Sequence, residues 1–148
     1  MELTIKQRIN SIKYFLTHPK ALKMILSFNE TGYLYDEGWF NSFYKNEPID
    51  KNKNPIPWFT YSSIDFLKER LKSDMTAFEY GAGNSTLFFA QRIKKIYSVE
   101  TNKNWYETIK KNLSNNAEIF YLDSEIDPIA YTQVINSTNL KYDIIIID

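Results

Sequence analysis

The sequence predicts an α/β fold: a parallel sheet with flanking helices, preceded by an N-terminal helical extension. Three observations carry that expectation. From residue 76 onward, four short β-prone runs alternate with three stretches of helical periodicity. A Gly81-Ala82-Gly83 bend follows the first run at once. The last run, Ile144 to Ile147, is apolar without alternation, which suits a strand buried on both faces. Strand and helix repeated in this way give parallel strands joined by right-handed crossovers.

Residues 1 to about 30 read as helix, because Ile5, Ile9, Ile12 and Leu16 recur on one face. Lys6, Arg8 and Lys13 lie off that stripe. Pro19 interrupts the pattern and suits a helix start, after which Leu22, Ile25 and Leu26 resume it. A basic amphipathic stretch of this kind either lies on a membrane or docks its stripe on its own domain, and docking is the expectation. His18, just before Pro19, reads as a cap or surface residue. Residues 31–57 carry Gly32, Gly38, Pro48, Pro55 and Pro57 and read as a loop anchored by Trp39, Phe40, Phe43 and Tyr44. Ser62-Ser63-Ile64-Asp65 fits a capping box opening a helix over about 62 to 73.

The alternation proper then begins. Thr76–Tyr80 is the first strand, and Leu87–Lys94 the helix behind it. Ile96–Glu100 is the second strand, followed by a helix marked by Trp105, Ile109 and Leu113, whose spacing places Trp105 in the core. Ala117–Leu122 is the third strand. Asp127 and Pro128 open the third helix as N-cap and first-turn residue, and Tyr142–Asp148 is the fourth strand. The chain thus divides into an extension over 1–57 and a sheet unit over 58–148.

At 148 residues the chain fits one domain. A hydrophobic fraction of 43% and a charged fraction of 24% belong to a folded chain rather than a disordered one. Eighteen basic residues balance eighteen acidic ones, so no global charge favours nucleic acid as a partner. Zero cysteines exclude disulfides and thiolate zinc sites, and one histidine excludes a multi-histidine metal centre, so no metal is expected. Neither a secretory leader nor a run of ~18 apolar residues is present, and a cytoplasmic address is the expectation.

Ligands of parallel sheets sit at the carboxyl ends of the strands. The first such end reads Phe78-Glu79-Tyr80-Gly81-Ala82-Gly83-Asn84-Ser85-Thr86. Gly81 lets the chain turn sharply, and Gly83 lets a ligand lie against bare backbone. The helix behind the bend offers its N-terminus, with Asn84, Ser85 and Thr86 as possible caps. Glu100 ends the second strand 21 residues after Glu79, where a carboxylate accepts the hydroxyls of a ribose. The dinucleotide fingerprint needs a glycine where Thr86 stands, and the P-loop lysine is absent. Glu79 beside the bend would repel a pyrophosphate and suit an ammonium group. A ligand with an ammonium group, a carboxylate and a ribose diol is S-adenosylmethionine.

Over residues 58–148 the sequence resembles the class I, Rossmann-like, S-adenosylmethionine-dependent methyltransferases. Glu79-Tyr80-Gly81-Ala82-Gly83 matches their first motif and Ser98-Val99-Glu100 their second, with Ser85 where many members carry a third glycine. Pro57-Trp58-Phe59-Thr60-Tyr61 also looks like the lead-in of bacterial methyltransferases. The resemblance implies that Glu79 faces the methionine amino group, directly or through water, that Gly81 and Gly83 pass under the methionine and ribose, and that Tyr80, Asn84 and Ser85 are among the cofactor-binding residues. It implies that Glu100 holds the ribose hydroxyls and that Thr101 and Asn102 edge the adenine. Asp123 and Ser124 would approach the adenine amino group, Tyr61 and Trp58 would cover the cofactor, and Asp148 would be the catalytic residue near the transferred methyl. Asp123 also reads as a plain turn residue, and Trp58 and Tyr61 as packing.

The acceptor implied is a small molecule, a saccharide or a protein. Members of this class generally have about seven strands, so a truncated or partial protein is expected, with a homodimer as one cover for the open edge of the fourth strand. Two other readings stand beside this one: a non-catalytic Rossmann-like binding module, and a nucleotide-dependent oxidoreductase.

Overall fold

The computed structural model describes residues 3–28, 30–123 and 125–147. Two helices lead: α1 (Ile5–Thr17) and α2 (Pro19–Ser27). Thr4 caps α1 by accepting from the Gln7 N–H at 3.3 Å, and Gln7 Oε1 accepts from the Thr4 N–H at 2.9 Å, closing a capping box. His18 ends α1, with Nδ1 2.9 Å from the Tyr14 carbonyl oxygen and its ring stacked on Tyr14 at 4.2 Å. It is therefore the cap between the two helices. No residue of α1 or α2 is buried, so the expected docking of their apolar stripe on the domain does not occur.

The stretch 31–57 is more ordered than its prolines and glycines predict. It contains α3 (Tyr33–Asp36) and α4 (Trp39–Lys45). Gly38 enters α4 with φ 82°, and a Cβ there would meet the Lys51 backbone nitrogen at 2.2 Å. The returning chain packs so closely because Asp50 accepts the N–H groups of Asn52 and Asn54, both at 2.8 Å. Ile49 and Ile56 are buried on either side of that turn. Helix α5 (Tyr61–Arg70) starts one residue earlier than predicted, because Thr60 rather than Ser62 accepts the capping N–H, from Ser63 at 3.3 Å.

Strands β1 (Thr76–Tyr80), β2 (Lys95–Glu100), β3 (Ala117–Tyr121) and β4 (Ile144–Ile147) alternate with α6 (Asn84–Ala90), α7 (Lys103–Lys110) and α8 (Pro128–Ser137). All pairings are parallel, and the strand order is β3-β2-β1-β4. This is the expected α/β architecture, consistent with a Rossmann-like fold. The order reverses at β1, so the crevice between β1 and β4 is the topological switch point where ligands of such sheets bind.

Side chains alternate across the sheet, and each parity has its own core. Ala77, Ile96 and Ile146 face α5 and α6, packing with Ile64, Phe88 and Phe89. Phe78 and Val99 face α8, packing on Val134 beneath a layer of tyrosines that includes Tyr80, Tyr97 and Tyr131. The prediction of a fourth strand buried on both faces is corrected here. Ile146 is buried, whereas Ile145 and Ile147 are 56% and 81% exposed. The cause is the position of α8, whose apolar residues pack with side chains of β1, β2 and β3 and leave that side of β4 open.

Ile146→Ala should therefore lower unfolding free energy by about 2–4 kcal/mol, whereas Ile147→Ala should change it by less than about 0.5 kcal/mol. Urea titrations of the two variants check this; equal losses would mean that both faces of β4 are covered.

Candidate functional site

Parity aims two carboxylates at the bend after β1. Glu79 and Ser98 are register partners on neighbouring strands and point to the α6 side. There they meet Thr86, in the first turn of α6. Glu79 Oε2 accepts from the Thr86 hydroxyl at 2.5 Å and from the Ser98 hydroxyl at 2.8 Å. Thr86 Oγ1 in turn accepts the N–H of Gly83 at 3.0 Å. Glu79 is 0% exposed, so its carboxyl lies beneath the bend and holds it through Thr86. Burial makes those donors necessary, since a carboxyl taken from water without them would cost several kcal/mol.

Glu100 holds the other flank. Its Oε2 accepts the Ala82 N–H at 3.0 Å, and its Oε1 accepts the N–H groups of Thr101 and Asn102 at 2.8 and 2.7 Å. It therefore spans the ends of β1 and β2 and also fixes the chain entering α7. Gly81 turns the corner with φ 92°, in the left-handed region that glycine tolerates, while its N–H donates to the Val99 carbonyl at 2.8 Å. Gly83 is different. Its φ of −175° is open to any residue. A Cβ built there would meet only Ser85 Oγ and the Trp105 ring, at 3.9 Å or beyond. A Cβ at Gly83 would make ordinary van der Waals contact with Ser85 and Trp105, so the fold does not itself require a glycine there.

Trp105 corrects the core expectation drawn from its spacing. It is 42% exposed, and its indole N–H donates to the Ala82 carbonyl at 2.5 Å. Asn102 brings it there by accepting the Trp105 backbone N–H at 3.0 Å as the N-cap of α7. The indole thus forms one wall of the bend. A second wall comes from the N-terminal extension, where the Asn84 amide donates to the Pro48 carbonyl at 2.9 Å. Pro48 also lines an aromatic cleft of about 650 Å³, walled by Tyr33, Trp39, Phe43, Trp58 and Tyr61. Among the described residues, no Asp, Glu, Lys or Arg lines that cleft.

The structure brings together Glu79, Tyr80, Gly81, Gly83, Asn84, Ser85, Glu100 and Thr101 at the carboxyl ends of β1 and β2. The side chain of Tyr80 leaves the group: its hydroxyl donates to the Thr132 carbonyl at 2.8 Å on the α8 side, and burial raises its pKa. Only the backbone of Tyr80 borders the bend. Asp123 sits in a turn beyond β3 and accepts the Glu125 N–H at 3.0 Å, the turn role its sequence context allows. Tyr61 lines the aromatic cleft, edge-on to Tyr33 at 5.8 Å, with its pKa raised first by burial and then by Glu37. Ser124 and Asp148 lie outside the described residues.

Three participants were missed as site residues. Ser98 left a signal, being a hydroxyl in the inward register between Ile96 and Glu100. Thr86 reads as a failed third glycine, yet it is fully buried and bridges Glu79 to Gly83. Trp105 left none, since its helical spacing is that of a core residue. Among the described residues no cluster of three metal-ligating side chains exists, and no helix is long and apolar enough to cross a membrane.

The sequence matches no family model, and no curated protein is similar to it. Among solved structures, a dimethyladenosine transferase from Plasmodium falciparum is similar over 56% of this chain and 29% of its own, at 20% identity and a TM-score of 0.42. The chain thus spans less than a third of that structure, and a likeness this distant says nothing about ligand or acceptor.

Thr86→Val keeps the volume and removes both links of the Glu79 to Gly83 chain. It should cost about 2 kcal/mol of stability, the usual loss when buried partners go unmet. Combined with Glu79→Leu, the second change should cost less than it does alone, because the carboxyl that needed the donor is gone. Chemical denaturation of the single and double variants measures this coupling, and strict additivity would mean that the chain does not hold the bend.

Proposed function

We propose that this chain binds S-adenosylmethionine over the bend at residues 81–83. It would act as a methyltransferase, or as the cofactor-binding half of one, on a small-molecule, saccharide or protein acceptor. The observation that supports this most is that the fold carries a glycine at 83 without requiring one. Neither backbone angle nor neighbouring atoms call for glycine there, and a side chain would fill the space between Ser85 and Trp105. A bare backbone there would let the cofactor lie against the bend.

The residues around that space suit this cofactor. Glu100 lies at the end of β2 with Oε2 accepting the Ala82 N–H of the bend, and it would accept the ribose hydroxyls from there. Gly81 and Gly83 leave the floor free of side chains. Trp105 offers an indole wall whose polar edge is already tied to Ala82. Glu79 is buried beneath the bend and holds it through Thr86, and it would face the methionine amino group from below, directly or through water. When bound, S-adenosylmethionine supplies a methyl carbon already activated by a positive sulfur. The protein is left with alignment and exclusion of water rather than bond-making of its own.

The aromatic cleft is the proposed side of entry for the acceptor. It adjoins the bend through the Asn84 to Pro48 hydrogen bond, and its described lining carries no charge. Flat rings and neutral polar groups favour an uncharged acceptor with a flat or saccharide-like face. Asp148 keeps the catalytic role that the resemblance implies, and Asp123 and Ser124 their place near the adenine.

Titration calorimetry with S-adenosylhomocysteine tests the reading. The wild-type chain should bind, Glu100→Ala should bind at least about tenfold more weakly, as expected for loss of a charged hydrogen-bond acceptor, and Gly83→Val should show no heat while keeping the wild-type melting temperature. Absence of heat from the wild-type chain would discard the proposal.

A further inference from the structure

We propose that the N-terminal helix pair is a peripheral docking element for an anionic lipid surface. The motive is a mismatch between sequence and packing. Helix α1 builds an apolar stripe from Ile5, Ile9, Ile12 and Leu16, and α2 builds another from Leu22, Ile25 and Leu26. Stripes of this kind normally face a core. Here both are open: Ile5 is 78% exposed, Leu16 76% and Leu26 63%. Neither helix buries a single residue.

Charge identifies the occupant. Residues 1–28 hold Lys6, Arg8, Lys13, Lys20 and Lys23 against a single acid, Glu2. Residues 29–148 hold thirteen basic and seventeen acidic side chains. Zero net charge for the whole chain therefore hides a basic segment joined to an acidic remainder. On the 100° helical wheel, Lys6 and Lys13 fall on one flank of the α1 stripe and Arg8 on the other, so cations border the apolar face along its length. An apolar stripe with basic flanks suits the headgroup boundary of an anionic bilayer, where apolar side chains enter the acyl layer and ammonium and guanidinium groups meet phosphates. A protein partner would need acidic groups placed to match, whereas an anionic lipid surface supplies negative charge everywhere. Neither helix is long enough to cross the membrane, so the contact is interfacial.

The inference does not rest on the cofactor reading. Vesicles of phosphatidylcholine, with and without phosphatidylglycerol, provide the test by co-sedimentation at low and high salt. Wild-type protein should pellet with the anionic vesicles at low salt and be released by high salt, with partitioning to neutral vesicles lower by on the order of tenfold or more. Ile9→Glu combined with Leu16→Glu should abolish pelleting, and Lys6→Gln with Arg8→Gln and Lys13→Gln should erase the preference for phosphatidylglycerol. Both variants should keep the wild-type melting temperature, because none of the replaced side chains is buried. Equal pelleting of wild type and Ile9→Glu/Leu16→Glu would overturn the proposal. So would light scattering that shows a wild-type dimer dissociated by that same pair, since a second copy would then cover the stripe.

Discussion

Everything at the carboxyl end of the sheet depends on two buried carboxyl groups that hold a bend by its amides. Glu79 reaches Gly83 through the Thr86 hydroxyl, and Glu100 takes the Ala82 N–H directly. A bend whose one side chain is the buried Ala82 methyl has little packing of its own. Gly81 and Gly83 lose the most freedom of any residue type on ordering, and a single methyl offsets little of it. The restoring interactions have to come from below and beside the bend. Strand parity delivers them, because Glu79 and Ser98 face the same side and Glu100 ends the neighbouring strand. Once the bend is fixed, the start of α6 is fixed, and with it the Asn84 amide that fastens the extension through Pro48.

That arrangement gives the two parts of the chain different relations to the sheet. The segment around residues 48–61 is structurally part of the sheet domain: Ile56 lies in its core, and the aromatic cleft opens beside the bend. The segment 3–28 is not, since none of its residues is buried. Burial along the chain sets in at Gly38 and Ile49, well after the end of α2.

The order of strands and helices from residue 76 onward was legible in the sequence, because each run carries its own period and each crossover its own stop signal. The bend was legible too, since Gly81 needs the positive φ that it adopts. What failed to show were contacts set by neighbours. The Ile144 to Ile147 run reads as doubly buried, but exposure on one face is decided by where α8 lands, which no local pattern records. Trp105 reads as core because its spacing says only that it lies on the stripe with Ile109. The stripe's end happens to overhang Ala82. Helices α3 and α4 were hidden by glycines that read as breakers. Gly38 in fact enters α4 with φ 82°, beside a backbone too close for any Cβ.

The hydrogen-bond inventory of Glu100 adds a last step. A carboxylate offers about four lone-pair positions. Among the described residues three are used: two on Oε1 by Thr101 and Asn102, and one on Oε2 by Ala82. Under the proposed reading the fourth, on Oε2, would take a ligand hydroxyl. A diol that engages both hydroxyls would have to share that position or take the one held by Ala82. Releasing Ala82 frees the middle residue of the bend, while Gly83 stays held from the Glu79 side through Thr86. Under the proposed reading, ribose binding and bend geometry are thus one equilibrium. The indole of Trp105, bonded to the carbonyl of that same Ala82, is placed to feel the change.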